Sequence, residues 1–580
     1  MIHLGRWAKF SVLLGPIVAF GLVVSPQTAH ADITGVGGIL EPSRSLSGSY
    51  LAGRLAVDLN DQTAAAEYFR EALRLDPDNR YLLSSTFSLE LVTGNVAEAH
   101  DLAIRLVEID PGHWFARLLL GVEAFRARQF ADARRQFSEI DAPPISDAVT
   151  GLLVAWSHVG SGDIDTALAT VSAIDIGQAV DLEPIKIYQS ALINDVAGNL
   201  DEAERLMQLL DAGEHRDLRG VQALTRYAML RGDQERAEAL VEGLPSQILR
   251  HSIGEAIATA VRGGVAPDPI ATNAREGAVE ALLGIGRSIA ASGQAPLFYQ
   301  LALAIQPDAA WPLIHVGEHF DAIEDYAAAI AAYERVSEDS SLRDDADIKR
   351  AEALNNLDRF EEARALLMEL EDYNPDNRNI AFTLALMLHN KDRWAEAAIH
   401  YSRAIEATPV ITEADWLLFF YRGIAYERNK QWPKAEADFQ RALELDPEQP
   451  NVLNYLGYSW IDQGVNLDEA LALVEKAVEL RPNDGDIIDS LGWAYFRLGR
   501  YEEAVYVLEK AVVIRAEEPV IQDHLGDAYW MVGRKLEARF QWQHALDLEP
   551  DEELAETIRD KLRNGLGDAA EVELDQDNGG

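Results

Sequence analysis

Leu491-Gly492-Trp493-Ala494-Tyr495 is followed by Ala504, Leu508 and Ala511. Leu525-Gly526-Asp527-Ala528-Tyr529, beginning 34 residues later, is followed by Ala538, Trp542 and Ala545. A shared register at a fixed period is the signature of a repeat architecture, and here the period extends far beyond these two units. Backwards it passes through Gly457, Gly423, Ala385, Ala351, Gly317 and Leu283, in steps of 34 to 38 residues. From the N-terminal side the same position recurs at Gly53, Phe87, Gly121, Ala155, Ala191 and Thr225. Twelve residues on (thirteen after Gly457) stands an alanine in every unit, from Ala65 to Ala538. Many units close with proline, among them Pro77, Pro111, Pro307, Pro447, Pro482 and Pro550.

Each unit reads as two helices. Apolar residues recur at i, i+3, i+4 and i+7 in two stretches, which is the helical period. A small residue on the first stretch and alanine on the second let two backbones approach closely. A large residue such as Phe69, Phe137, Tyr333, Tyr401, Phe439 or Trp542 then fills the wedge. Proline stops the second helix because it lacks the amide donor and clashes with the preceding turn. One hairpin cannot bury its own apolar face, so the units must stack into a solenoid. The fold class expected is all-α.

The pattern resembles the tetratricopeptide repeat (TPR) family over about fourteen units, from about Ser47 to Pro550. Within it, the run from Tyr421 to Leu548 is similar to long exported TPR proteins of Gram-negative bacteria. The resemblance implies a right-handed superhelix of helix hairpins and no particular catalytic activity. It also implies a binding groove, lined by the first helix of each unit at positions six and three before the small residue and one, four and five after it. Carried onto the last three units, those positions give Asn454, Asp489 and Asp523, beside Tyr458, Trp493 and Asp527. Ile461, Phe496 and Trp530 come next, with Asn451, Asp486 and Val520 at one edge and Asp462, Arg497 and Met531 at the other. The Lys, Asn and Arg set of the family's peptide-carboxylate clamp is missing, so an acidic C-terminal tail is not the expected partner. Acids beside aromatic rings suit a partner rich in Lys or Arg, through ion pairing and cation–π contact. The bland reading makes the rings inter-repeat core and the acids a solvated face.

The register breaks once. Between Thr225 and Leu283 the step is 58 residues, and Gly263-Gly264-Val265-Ala266-Pro267-Asp268-Pro269 can be neither helix nor central strand. Two readings stand: an irregular joint at 246–275 between arrays at 47–245 and 276–550, or one divergent repeat with a long loop. Residues 551–563 should form a polar capping helix, with an acidic tail after it to Gly580.

The start of the chain reads as an address. Arg6 and Lys9 precede an apolar run from Phe10 to Val24, and Ala29-His30-Ala31 is a small-x-small triplet. That is a secretory signal peptide with cleavage after Ala31, leaving a linker at 32–46; the rival is an uncleaved anchor. The expected localisation is the periplasm or the exterior, with no further membrane span. The chain has 580 residues, no cysteine and a formal net charge of −45. An acid excess of that size speaks against nucleic acid and anionic membrane surfaces, which need clustered Lys and Arg. The lack of cysteine removes disulfides, thiolate metal sites and cysteine nucleophiles.

Few motifs point to chemistry. His315-Val316-Gly317-Glu318-His319 matches H-x-x-E-H, in which two histidines on one helix face bind zinc and the glutamate acts as base. Gly317 is also the small position of the repeat, which explains the helix without a metal. Asn483-Asp484-Gly485-Asp486 echoes a calcium loop but lacks the closing Glu, and more simply caps the next helix. Once repeats are assigned, no leftover piece reaches the roughly 50 residues of a small domain. The expectation is therefore a non-enzymatic interaction scaffold of the cell envelope, with no cofactor and no resident metal. The alternative is a structural subunit of an envelope assembly or polysaccharide-export machine; a zinc hydrolase at His315, Glu318 and His319 ranks third.

Overall fold

A computed structural model describes residues 45–140, 144–175, 183–211, 218–244, 252–290, 293–408 and 410–566. The expected signal peptide and the acidic tail from Asp568 lie outside the described residues. Among the described residues the chain is all-helical, with 30 helices and no strand. Two of these are single helices, Ser252–Arg262 and Glu552–Asn564; the others form the fourteen expected hairpins.

The register explains the packing. A Cβ added at Gly121 would stand 2.3 Å from the Phe137 ring, and one at Gly526 2.4 Å from the Trp542 ring. Each glycine lies sixteen residues before the ring that crosses it, so the small position is a seat for the large one. The alanines twelve residues on are fully buried, among them Ala65, Ala133, Ala329, Ala435 and Ala538. Helix starts are capped where the sequence allows. The Asp484 carboxylate accepts from the amides of Asp486 and Ile487 at 3.2 and 3.3 Å, so the calcium-like run is an N-cap.

The chain divides into two compact units between Leu370 and Glu371. This is not the place the break in the register suggested. The helix Ser252–Arg262 packs on the preceding hairpin, and the segment after it is tied down, with Gln222 Nε2 donating to the Asp268 carbonyl at 3.0 Å. Residues 263–269 are non-helical, as their glycines and prolines require, but both sides of them belong to the N-terminal unit.

The hairpin after that loop shapes the unit, because Ala274–Ser288 and Ala295–Ile305 lie against the first helices of the earlier repeats. Ala274–Ser288 packs on Pro144–Gly160 and Glu183–Val196, and Ala295–Ile305 packs on Arg80–Val92 and Trp114–Arg126. Every residue of Ala295–Ile305 is buried, as befits a helix apolar on all sides. Phe298 meets the Trp114 and Phe115 rings at 6.1 and 5.7 Å, and Gly277 lets the Trp156 ring approach within 2.2 Å of where a Cβ would sit. Gln300 Nε2 donates to the Val92 carbonyl at 2.9 Å, and Arg219 reaches Glu280 at 2.5 Å. One apolar core therefore runs from Phe69 to Ala346. The first helices of these four N-terminal repeats are covered by the chain itself.

In the C-terminal unit, packing runs between helices that are neighbours along the stack. The five hairpins from Arg378–Asn390 to Lys535–Asp547 are closed by Glu552–Asn564, the helix expected at 551–563. Leu554, Ala555 and Ile558 face the stack, and Asp551 caps the start by accepting from the Leu554 amide at 2.9 Å.

Candidate functional site: the inner face of the C-terminal repeats

The residues expected to line a groove occur on three consecutive inner helices, Pro450–Gln463, Gly485–Arg497 and Pro519–Met531. Their side chains fall into two groups, one of acids paired inside the chain and one of aromatic and polar residues that are partly open.

The engaged group holds most of the acids. Asp489 is fully buried, and both its oxygens lie 3.0 Å from His524 Nδ1, one repeat further on. Asp523 and Asp527 both accept from Lys561 Nζ at 2.7 Å, a lysine of the closing helix. Asp527 also accepts from the Trp542 indole at 2.9 Å. Asp486 is half-buried against Arg515 at 3.2 Å. The expectation that Asp489, Asp523 and Asp527 face a basic partner is therefore corrected, since each already has a cation or donor from the next element. The physical reason is the cost of burying a lone carboxylate, which forces a partner to be supplied from within. His524 and Lys561 were missed because neither occupies an inner-face position of the repeat. The one available signal was a lysine on the apolar-periodic helix that must cap the array.

These pairings set the charges. Burial alone would drive His524 towards its neutral form, but the Asp489 carboxylate, with Asp523 and Asp527 behind it, raises the imidazole above its ordinary value. Burial pushes Asp527 up to about 6, with Lys561 pulling it back and Asp523 adding to the rise. Burial likewise pushes Asp486 up to about 6, against the opposing charge of Arg515. His524 holds its proton more tightly folded than unfolded. Its stabilising contribution is thus full below about pH 6.5, the unfolded value, and fades as pH rises through the folded one. Asp527 acts in the same sense, losing its contribution as pH rises towards 6. The C-terminal repeats should unfold at a lower temperature at about pH 8.5 than at about pH 5.5. His524→Gln should shrink that difference in circular dichroism melts, and an unchanged difference would refute the assignment.

The open group is aromatic and polar. The Trp493 ring stacks on Phe496 at 4.9 Å and on His524 at 4.2 Å, forming a ladder across two repeats. Trp493 and Phe496 are half-buried, and the Trp493 indole N–H has no hydrogen-bond partner. Asn454 is buried with its Oδ1 likewise unpaired, and Tyr458 on the same helix is buried. Arg497 donates to Asp462 Oδ1 at 3.3 Å, both side chains partly in solvent. Trp530 is half-buried, with its indole N–H donating to the Leu566 carbonyl at 3.0 Å and Lys535 over its ring at 4.5 Å. The inner face thus exposes parts of the Trp493, Phe496 and Trp530 rings and the Asp462–Arg497 pair, with its charges largely neutralised, while Asn454, Tyr458 and the Trp493 indole N–H lie below the surface.

The H-x-x-E-H helix lies in the N-terminal unit. His315 Nδ1 sits 2.7 Å from Glu318, its ring stacked on Tyr299 at 5.0 Å, while Glu318 also pairs with Lys349 at 2.9 Å. Burial pushes Glu318 up, but the hydrogen bond from His315 and the Lys349 charge prevail and hold it at about 2. His319 Nε2 instead lies 3.2 Å from Gln62 Oε1 of the first repeat. Among the described residues no group of three or more His, Asp or Glu is placed to hold a metal ion. The three residues do not converge, and a glutamate held by Lys349 is a poor base.

Profiles of the tetratricopeptide repeat match residues 47–79, 349–410, 416–449 and 492–533. With the fold, they make the chain a tetratricopeptide-repeat protein. A TPR repeat-containing protein of Pseudomonas aeruginosa is 26 % identical over 178 residues, covering 30 % of this chain and 29 % of that protein. Tetratricopeptide repeat protein 13 of Homo sapiens is 31 % identical over 149 residues, covering 26 % and 16 %. The chain thus spans less than a third of the length of these relatives. Among solved structures, the APC/C hetero-tetramer Cut9–Hcn1 aligns with 90 % of this chain and 96 % of that one at 15 % identity and a TM-score of 0.35. At that score nothing is carried over to this chain.

Proposed function

We propose that this chain is a non-enzymatic protein-interaction scaffold of the bacterial cell envelope, and that its C-terminal repeats carry the recognition surface. One observation carries the reading. The first helices of four N-terminal repeats, Arg80–Val92, Trp114–Arg126, Pro144–Gly160 and Glu183–Val196, are covered by Ala274–Ser288 and Ala295–Ile305, whereas those of the C-terminal unit leave Trp493, Phe496 and the Asp462–Arg497 pair partly in solvent. Tetratricopeptide repeats stack into surfaces for other proteins, and half-buried aromatic rings are the side chains that anchor such contacts. The envelope location rests on the signal-like residues 1–31. A basic partner is favoured by the net charge of −45, through long-range attraction during encounter, and not by the inner-face acids.

The test is capture of partners from envelope extract by the immobilised protein, with identification by mass spectrometry. Trp493→Ala combined with Arg497→Ala should lose capture, because it removes an aromatic anchor and a polar contact while both members of each buried ion pair stay in place. Tyr506→Ala with Phe540→Ala, on exposed outer positions, should retain it. The reverse pattern would favour the second reading, a structural subunit docked through its outer face.

A further inference from the structure

The chain leaves its closing helix against a ring of the inner face. Past Asn564, Gly565 turns with φ 74° and lies so close to Trp530 that a Cβ there would stand 2.1 Å from the ring. The Trp530 indole N–H then donates to the Leu566 carbonyl at 3.0 Å, which fixes the point from which residues 567–580 set out. Two cations stand at this exit. Lys535 Nζ lies 4.5 Å and the Arg539 guanidinium 5.6 Å from the Trp530 ring centre, and both side chains are exposed. Arg539 gives one N–H to the Leu562 carbonyl, and neither cation meets a carboxylate among the described residues. Arg534, on the same turn, is already paired with Glu509 and Glu537.

The sequence supplies the complement at once, because Asp568, Glu571, Glu573, Asp575 and Asp577 follow with no base among them. We propose that this acidic segment turns back over Trp530 and pairs with Lys535 and Arg539, closing the end of the inner face as a strap. The reach is short. Asp568 stands no more than about 7 Å of chain beyond Leu566, and Glu571 no more than about 17 Å. A tether of that length holds the carboxylates at an effective concentration of about millimolar or more beside the cations. Exposed ion pairs too weak to bind a free peptide one by one then act together. Val572 and Leu574, set between the acids, give the strap apolar contacts for the ring. The consequence is selectivity. With the strap in place the Trp530 end offers no free cation, so an acidic segment of another protein finds no charge partner there. The contact is made within one chain and does not rest on the recognition surface proposed above.

The absence of cysteine supplies the test, because Gln576→Cys gives a single site for bimane, a fluorophore that tryptophan quenches on contact. The labelled full chain should be dim at about 50 mM salt and brighten at about 500 mM, where the Debye length falls to roughly 4 Å. Trp530→Phe should lose the quenching. Lys535→Gln with Arg539→Gln should lose it too, with an unchanged circular dichroism melt, since both side chains stand in solvent. Lys535→Glu with Arg539→Glu, combined with lysine at all five tail acids, should restore it, which a merely disturbed repeat would not do. Quenching that persists without Trp530 or without the two cations overturns the proposal, and so does quenching that salt leaves unchanged, because a tail wandering on its tether meets the ring regardless of charge. Quenching that grows with protein concentration would place the tail on a second copy and overturn it equally.

Discussion

Phe298→Ala should cost the N-terminal unit about 3–5 kcal/mol and leave the inner face of the C-terminal repeats untouched. Phe298 is fully buried in a helix whose other residues are all buried too. Its ring stands against Trp114 and Phe115, which lie far earlier in the chain, so its removal opens a cavity between elements that the hairpin joins. The surroundings cannot collapse into that space without shifting both the inner helices of the early repeats and the helix that covers them. Denaturant unfolding combined with hydrogen exchange should place the loss in residues 45–370 and leave 371–566 near wild type. A cost below about 1 kcal/mol would mean that Ala295–Ile305 behaves as a removable occupant and not as core.

Lys561→Ala should destabilise the C-terminal repeats by about 3–5 kcal/mol, the range for removing one partner of a buried ion pair. Two carboxylates, Asp523 and Asp527, share this one ammonium group, and all three are almost wholly out of water. Without it the pair must take up a proton or admit water, and the closing helix loses its polar anchor. Adding Asp523→Asn and Asp527→Asn should recover part of the loss, because neutral amides tolerate burial better than bare charges. A Lys561→Ala melt equal to wild type would show that the lysine is solvated and the acids are free. By the same logic, replacing Asp489, Asp523 and Trp493 together should lower the melt sharply. By sequence alone, those three positions form a binding surface that could be changed without structural cost.

The early repeats illustrate how far local pattern reaches. The step of 34 residues, the small residue seated under a ring sixteen positions later and the closing prolines determine each hairpin. All of these are contacts within or between adjacent units. The helical character of Ala295–Ile305 was legible for the same reason, and its apolar sides announced full burial. Where it would be buried was not legible. Leu283 fits the repeat register as well as its neighbours do, yet its hairpin lies over inner helices from much earlier in the chain. Period carries no information about such a return, since the loop closure that permits it depends only weakly on length.

The inner face divides along the same line. The family resemblance implied Asn454, Trp493, Phe496, Arg497 and Asp523 as inner-helix positions, and helical spacing fixes which of them share a face. It could not say which acids would stay open to another molecule. That was decided by the reach of His524 from the next repeat and of Lys561 from the closing helix, each drawn to a carboxylate that burial would otherwise leave unpaired. Sequence determined the repeat; tertiary structure decided which of its faces the chain keeps for itself.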